Sequence, residues 1–286
     1  MGGRREDWAP GDILVVMDDL GFAHRLAGSA DEITRAAFAA RDFAVRYKDD
    51  GTAVTDVDVA VEQVLERHVA ATHPSDAFLS EELGAHGESS RTWIVDGIDG
   101  TEVFARGGPG WGTLVALLQD DEVVVGVASS PGLRRRWWAS RGAGAWTAPL
   151  TSPPTAAEPT RLTVSDRGRD PRWTVVPPPE KLDGWRQLAA RRRAESFRAT
   201  ETGGHGPLLV AAGDLDASLL LYGGPWDYAP FVVLVEEAGG RFSDLWGGRR
   251  IDTRTAIYSN RLVHDVVRSL VAPLAPASPT ERSGSQ

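Results

Sequence analysis

Apolar positions along this chain change period twice, from helical to alternating spacing and back toward helical. Over residues 12–45 they recur at helical intervals, with Ile33, Ala37 and Ala40 near one face and Ser29 or Asp31 as candidate N-caps, so two helices are expected there. Residues 55–69 read as another helix. Val57, Val61, Val64 and Leu65 share a stripe, Thr55 is placed to cap it, and Asp58 falls in its first turn. After Glu82 the pattern becomes strand-like over residues 92–95, 112–118 and 123–128, with an acidic turn at Asp120-Asp121. Residues 135–139 add a strand that stops at the Gly-containing run Arg141-Gly142-Ala143-Gly144.

The Pro-rich stretch 149–159 interrupts regular structure and marks either a junction between lobes or a surface loop. Beyond it, residues 161–164, 173–176 and 217–221 read as strands, and residues 182–193, 207–212 and 228–238 as helices. The expected organisation is an N-terminal lobe over 12–150, a C-terminal lobe over 160–272 and a disordered tail over 273–286, with no internal repeat.

Composition narrows the partners. A net charge of -9 argues against a surface that coats nucleic acid, because such binding comes from phosphate neutralisation by Lys and Arg. It leaves room for a small phosphorylated substrate, since a bound cation reverses the local field. There is no cysteine, so any metal must be held by oxygen or histidine. No run approaches a membrane span, and Arg4-Arg5 is followed by Glu6-Asp7 rather than a signal-peptide core, which points to a cytoplasmic protein.

The chemistry concentrates in Asp96-Gly97-Ile98-Asp99-Gly100-Thr101, directly after an apolar strand-like segment. Two flanking glycines let the chain turn sharply, so both carboxylates and the Ile98 carbonyl can face one point. Hard cations such as magnesium take such oxygen donors. Further acids stand at Glu81-Glu82 and at Asp227, in Pro225-Trp226-Asp227. Four carboxylates meeting without cations would repel one another, so a metal gives Glu81, Asp96, Asp99 and Asp227 a reason to coexist.

Taken in order, KDDGTAVTDVD at residues 48–58, Glu81-Glu82, DGIDGT at residues 96–101, Trp226-Asp227 and EAGG at residues 237–240 resemble the successive signatures of the inositol monophosphatase superfamily, over roughly residues 12–271. The segments at residues 106–114 and 135–146 look most like its histidinol-phosphate phosphatase branch. The resemblance implies a layered α/β fold, the α-β-α-β-α sandwich of the inositol monophosphatase and fructose-1,6-bisphosphatase type, and a homodimer. It implies two or three magnesium ions, one at Glu81, Asp96 and the Ile98 carbonyl, another at Asp96, Asp99 and Asp227. Asp58 and Thr101, counted with Glu81 as the catalytic set, would activate a water for direct in-line attack on phosphorus. The Gly100 and Thr101 backbone N–H groups would receive phosphate oxygens.

Several positions depart from the family pattern. Gly97 stands where Pro is usual, and Glu102-Val103 where Lys-Asn is common. Glu201, Thr202 and Gly203 occupy the substrate segment, but Gly203 replaces the acid suited to a substrate ammonium, and the segment 220–224 lacks the acid that contacts ring hydroxyls in inositol-type relatives. The expected activity is hydrolysis of a phosphate monoester, with histidinol phosphate the nearest family substrate and a sugar, cyclitol or nucleoside monophosphate close behind. A noncatalytic phosphometabolite binder is the reading from another class. Other features have plainer explanations. Glu82 and Lys48 are open between a supporting role at the site and ordinary solvation, the basic-aromatic run 134–138 fits alternation along a strand, and His205 reads as a loop residue rather than a ligand.

Overall fold

The computed structural model describes residues 18–150, 158–176 and 205–272. The helix expected at 182–193, the segment Glu201 to Gly203 and the tail from 273 lie outside the described residues.

Helix α1 spans Asp19–Ala40 without a break, and its cap is Asp18, whose side chain accepts from Gly21 N at 2.7 Å. Ser29 and Asp31 are therefore not caps, and residues 18–45 carry one helix rather than two. The reason is tertiary. Asp31 is buried, and its Oδ2 accepts from Arg136 Nη2 at 2.6 Å and Ser129 Oγ at 2.8 Å, so its carboxylate serves the sheet beneath instead of its own backbone. A short hairpin follows, β1 (Val45–Tyr47) with β2 (Ala53–Thr55), its return made by Gly51 at φ 83°. Helix α2 (Asp56–Thr72) begins at Thr55, as its sequence predicts, with Thr55 and Asp58 in a reciprocal capping box.

The large sheet has eight strands in the order β10-β9-β8-β7-β6-β5-β3-β4. They are β3 (Ala77–Ser80), β4 (Gly84–His86), β5 (Arg91–Asp99), β6 (Gly112–Gln119), β7 (Glu122–Ser130), β8 (Arg135–Ser140), β9 (Gly144–Pro149) and β10 (Thr160–Arg161). All neighbours are antiparallel except β3 and β5. The strand expected over 161–164 is shorter, because Val164 N leaves the sheet edge to donate to Ala238 O at 3.0 Å. Alternation along β5 sends Trp93 and Val95 toward α1 and α2, and Ile94 to the opposite face.

That opposite face is covered by α5 (Pro225–Glu237), reached through α4 (Gly206–Ala211) and β12 (Ala217–Leu220). From Tyr228 to Val235 every residue of α5 is buried, the pattern of a helix enclosed on all sides. On its far side lies a four-stranded sheet, β11 (Trp173–Val176), β12, β14 (Ala256–Ser259) and β13 (Arg241–Ser243) in that order, and α6 (His264–Val271) closes it through Val263, Val267 and Val271. The layers thus run helix, sheet, helix, sheet, helix. Close approach of α5 to the large sheet requires Gly126, where a Cβ would stand 2.3 Å from Pro230 O.

The outer sheet carries a pH-sensitive joint. His264 is fully buried, with Nε2 2.9 Å from Ser243 Oγ and Nδ1 2.7 Å from Ser259 Oγ. Ser243 Oγ donates to Asp244 O at 2.8 Å, so it accepts from His264 Nε2–H, and neutral Nδ1 accepts from Ser259. Burial, assisted by Arg241, lowers the His264 pKa to about 4. The unfolded chain, with an ordinary histidine near 6.5, then binds more protons than the folded one between those values. Stability from neutral His264 is complete above pH 6.5 and is lost as pH falls toward 4, a contribution on the order of 3 kcal/mol. Urea unfolding of His264→Gln is expected to lose less free energy between pH 7 and pH 5 than the native protein; equal slopes would contradict the assignment.

Candidate metal centre

Strand β5 delivers its acids at the point where it stops pairing regularly. Its register against β6 shifts between Asp96 and Asp99, and Gly97 O in the irregular stretch accepts from Thr113 Oγ1 at 2.9 Å. Gly100 follows at φ 83°, where a Cβ would also stand 2.9 Å from Gly110 O, and α3 (Thr101–Arg106) starts at once. Gly97 has a different reason. A Cβ there would meet Asp58 O at 3.0 Å and Glu62 Cγ at 3.1 Å, so the bare Cα lets α2 lie close against the acid-bearing turn.

Asp96, Asp99 and Asp227 come together from β5 and α5, each with a carboxylate oxygen within 4.8 Å of the others. Asp227 sits in the first turn of α5, where its Oδ2 accepts from Gly224 N at 2.6 Å. Asp96 is buried, and its Oδ2 has no hydrogen-bond partner among the described residues. Burial first, and then the fields of Glu81, Asp99 and Asp227, hold the Asp96 carboxyl well above the usual range; Asp227 is raised by burial and by Asp99 and Glu81. Removing water from mutually repelling carboxylates is costly, and a cation taking hard oxygen donors offsets that cost. The donor set therefore fits magnesium.

Glu81 borders the same cavity, but its Oε1 is held by Lys48 Nζ at 2.7 Å, and Lys48 also reaches Glu82 Oε1 at 2.6 Å. Although burial opposes its charge, these bonds raise the Lys48 pKa. Glu82 and Lys48, both open in the sequence, thus belong to one ion-paired group at the cavity wall. Across the cavity, Thr101 Oγ1 lies 2.9 Å from Asp58 Oδ1 and 3.0 Å from Ile98 O, and Asp58 Oδ2 accepts from Thr55 N at 2.9 Å and from the Thr55 hydroxyl. Burial raises the Asp58 pKa, while bonds from Thr55 and Thr101 oppose the rise. The cavity holds about 890 Å³, and Gly100, Glu102, Tyr222, Trp226 and Arg254 also line it. Glu102 points into a surface pair with Arg106 at 3.2 Å.

Two residues outside the sequence motifs support this group. Glu62 is buried, and its Oε2 accepts from Ser80 Oγ at 2.6 Å, Glu82 N at 2.9 Å and Leu83 N at 3.1 Å, which fixes the turn carrying Glu81. Burial pushes its pKa up to about 7. Its spacing was the available signal, since Glu62 lies four residues after Asp58 on the same helical face. His205, expected to be an ordinary loop residue, places Nε2 2.9 Å from Asp99 Oδ2. No local spacing announces that contact, because the two residues are brought together only by the packing of the layers.

The family model for the Inositol monophosphatase family matches residues 18–275. A Mycobacterium tuberculosis protein named histidinol-phosphatase is 38% identical over 257 residues, covering 87% of this chain and 96% of the relative. A Streptomyces griseus protein named glucose-1-phosphate thymidylyltransferase is 40% identical over 257 residues, 88% of this chain and 96% of the relative. Among solved structures, a Thermotoga maritima IMPase superimposes with a TM-score of 0.76 at 25% identity, covering 94% of this chain and all of that one.

If like-charge repulsion at the three aspartates is relieved by a cation, removing one charge has opposite effects with and without it. Asp96→Asn is expected to raise the melting temperature of chelator-treated protein by a few degrees and to abolish most of the rise that magnesium gives the native protein. Thermal denaturation with EDTA and then with magnesium measures both. A variant destabilised under chelation and still stabilised by magnesium would refute the assignment.

Proposed function

Because the chain belongs to the inositol monophosphatase family, we propose that this phosphatase hydrolyses a small-molecule phosphate monoester with magnesium as its cation, histidinol phosphate being the first candidate substrate. The observation that carries the proposal is the approach of Asp96, Asp99 and Asp227 to within 4.8 Å beside the Thr101–Asp58 pair. When bound, magnesium supplies positive charge against the phosphoryl oxygens and the attacking water.

The protein's own groups account for the remaining steps. The Thr101 hydroxyl lies between two acceptors, Asp58 Oδ1 and Ile98 O, but has a single proton to give. With Asp58 ionised, that proton goes to the carboxylate, and the Thr101 oxygen can take a proton from a water in the cavity. Water oxygen then bonds to phosphorus as the ester P–O bond opposite it breaks, and the leaving alkoxide takes its proton from solvent. The Gly100 and Thr101 backbone N–H groups, at the start of α3, are the proposed contacts for phosphate oxygens. Glu81, held by Lys48 and by the Glu62-supported turn, completes the proposed acid set together with the Ile98 carbonyl.

Tyr222, Trp226 and Arg254 line the same cavity and are the proposed contacts for the substrate's other end, with Asp50 accepting from Tyr222 Oη at 3.1 Å. The name of the Mycobacterium tuberculosis relative supports histidinol phosphate. The departures at residues 201–203, which lie outside the described residues, and the acid-free segment 220–224 leave a sugar, cyclitol or nucleoside monophosphate as the second reading. A cytoplasmic location, from the sequence pattern, and a homodimeric state, from family resemblance, belong to the same proposal.

A phosphate-release screen over histidinol, inositol, sugar and nucleoside monophosphates tests the substrate. Release is expected with magnesium, to stop on chelation and return on re-addition, with Asp96→Asn inactive and Thr101→Ala slower by about 100-fold or more. Incubation with glucose 1-phosphate and a thymidine triphosphate is the discriminating arm suggested by the Streptomyces griseus relative. Diphosphate release there, with no hydrolysis of any monoester, would overturn the reading.

A further inference from the structure

Resting on the metal-centre reading, we propose that His205 is the positioning residue for Asp99, taking one carboxylate oxygen so that the other is turned to the cation. His205 is 3% exposed, and its Nε2 stands 2.9 Å from Asp99 Oδ2, its one ion-pair partner among the described residues. Neither ring nitrogen has a hydrogen-bond partner in line with it among the described residues. The contact to Asp99 is therefore a close electrostatic approach that lacks ideal alignment. A buried imidazole without an aligned partner calls for an explanation, and the charged group it approaches among the described residues is a proposed cation ligand.

The mounting of the ring favours a fixed position over a mobile loop. His205 is the residue from which α4 starts, and Gly206 is forced by contact, since a Cβ there would stand 2.3 Å from Ser218 Oγ and 2.7 Å from Thr174 Oγ1. The small sheet therefore sets where the backbone of His205 lies. On its other side the imidazole meets Phe231 edge-on at a centroid distance of 6.4 Å. Phe231 is one turn beyond Asp227 on α5, so the helix that presents one acid also braces the residue touching another.

His205 does not line the 890 Å³ cavity, whereas Asp99 does. The imidazole reaches Asp99 without lining the cavity, which distinguishes positioning from catalysis. Without it, repulsion from Asp96 and Asp227 would favour rotation of the Asp99 carboxylate away from them. The 2.9 Å approach of Nε2 to Oδ2 opposes that rotation and leaves Oδ1 as the oxygen for the cation. Groups that orient metal ligands in this way typically change metal affinity 10–100-fold when removed.

The test uses the full chain without substrate, so it is independent of which ester is hydrolysed. His205→Phe keeps the ring and removes both nitrogens, while His205→Gln keeps an N–H donor. Magnesium and manganese titrations followed by calorimetry, and separately by the rise in melting temperature, are expected to show about a tenfold or larger loss of affinity in His205→Phe and less than about a threefold loss in His205→Gln. With any hydrolysed monoester, the concentration of magnesium giving half-maximal rate should shift accordingly while the rate at saturating magnesium changes little. Native affinity in His205→Phe would overturn the proposal, as would an equal loss in both variants, which would indicate packing alone. Should His205→Phe not fold, His205→Asn, too short to reach Oδ2, replaces it under the same two criteria. A native protein that binds neither cation would defeat the metal-centre reading itself.

Discussion

The constraint on which the structure turns is the confinement of like charges. Three carboxylates whose oxygens approach within 4.8 Å, one of them buried with an unpartnered oxygen, form an arrangement that no chain adopts for its own stability. Such a group persists only when the rest of the fold over-determines it. The packing around it can be read as the means of doing so. Asp96 cannot retreat into the β5 ladder, because the pairing with β6 is irregular from Asp96 to Asp99. Asp227 cannot swing outward without giving up the Gly224 N–H at the start of α5. Lys48 spends its charge on Glu81 and Glu82 at the edge of the group, leaving the central three with the His205 imidazole, 2.9 Å from Asp99 Oδ2, as their one basic partner among the described ion pairs.

The layered architecture follows from where those acids must meet. Asp96 and Asp99 lie at the end of a strand in the large sheet, whereas Asp227 lies at the start of a helix enclosed between two sheets. Bringing them together requires α5 to press directly on the large sheet, which the glycine at position 126 permits and the apolar surface of residues 228–235 drives. The small sheet then covers the other side of the same helix. A helix buried on every side has little freedom to shift, so the acid at its first turn is positioned by the hydrophobic effect rather than by polar contacts alone.

Much of this was legible in the sequence, for identifiable reasons. Thr55 and Asp58 could be read as a helix start because a capping box is local, with both partners inside one turn. Strands β5, β6, β7 and β8 were visible because their alternation and turn residues are local as well. Asp31 was misread by the same logic. An acid after a small residue looks like a cap, and nothing nearby reveals that Arg136, over a hundred residues away, claims its carboxylate. Strands β1, β4 and β13, three residues each, carry too few positions for a period to be seen. The motif acids could be found in order, but their meeting point is a property of the packed layers.

What the motifs omit is the set of residues that makes their geometry rigid. Glu62 gathers Ser80, Glu82 N and Leu83 N on a single oxygen, so the Glu81 turn is tied to α2, the helix whose first turn holds Asp58. Gly97 lets that same helix approach the Asp96 turn, and a side chain there would push against both Asp58 O and Glu62 Cγ. The residue at position 97 is thus coupled to how tightly α2 is seated, not to the three central acids directly. A Cβ at 97 would ask for a few tenths of an ångström from Asp58 O, Glu62 Cγ and Val61 Cγ1, all on α2, and meets none of the three central acids. The Thr101–Asp58 pair and the acid cluster therefore rest on different parts of the fold, even though Thr101 and the three acids line one cavity.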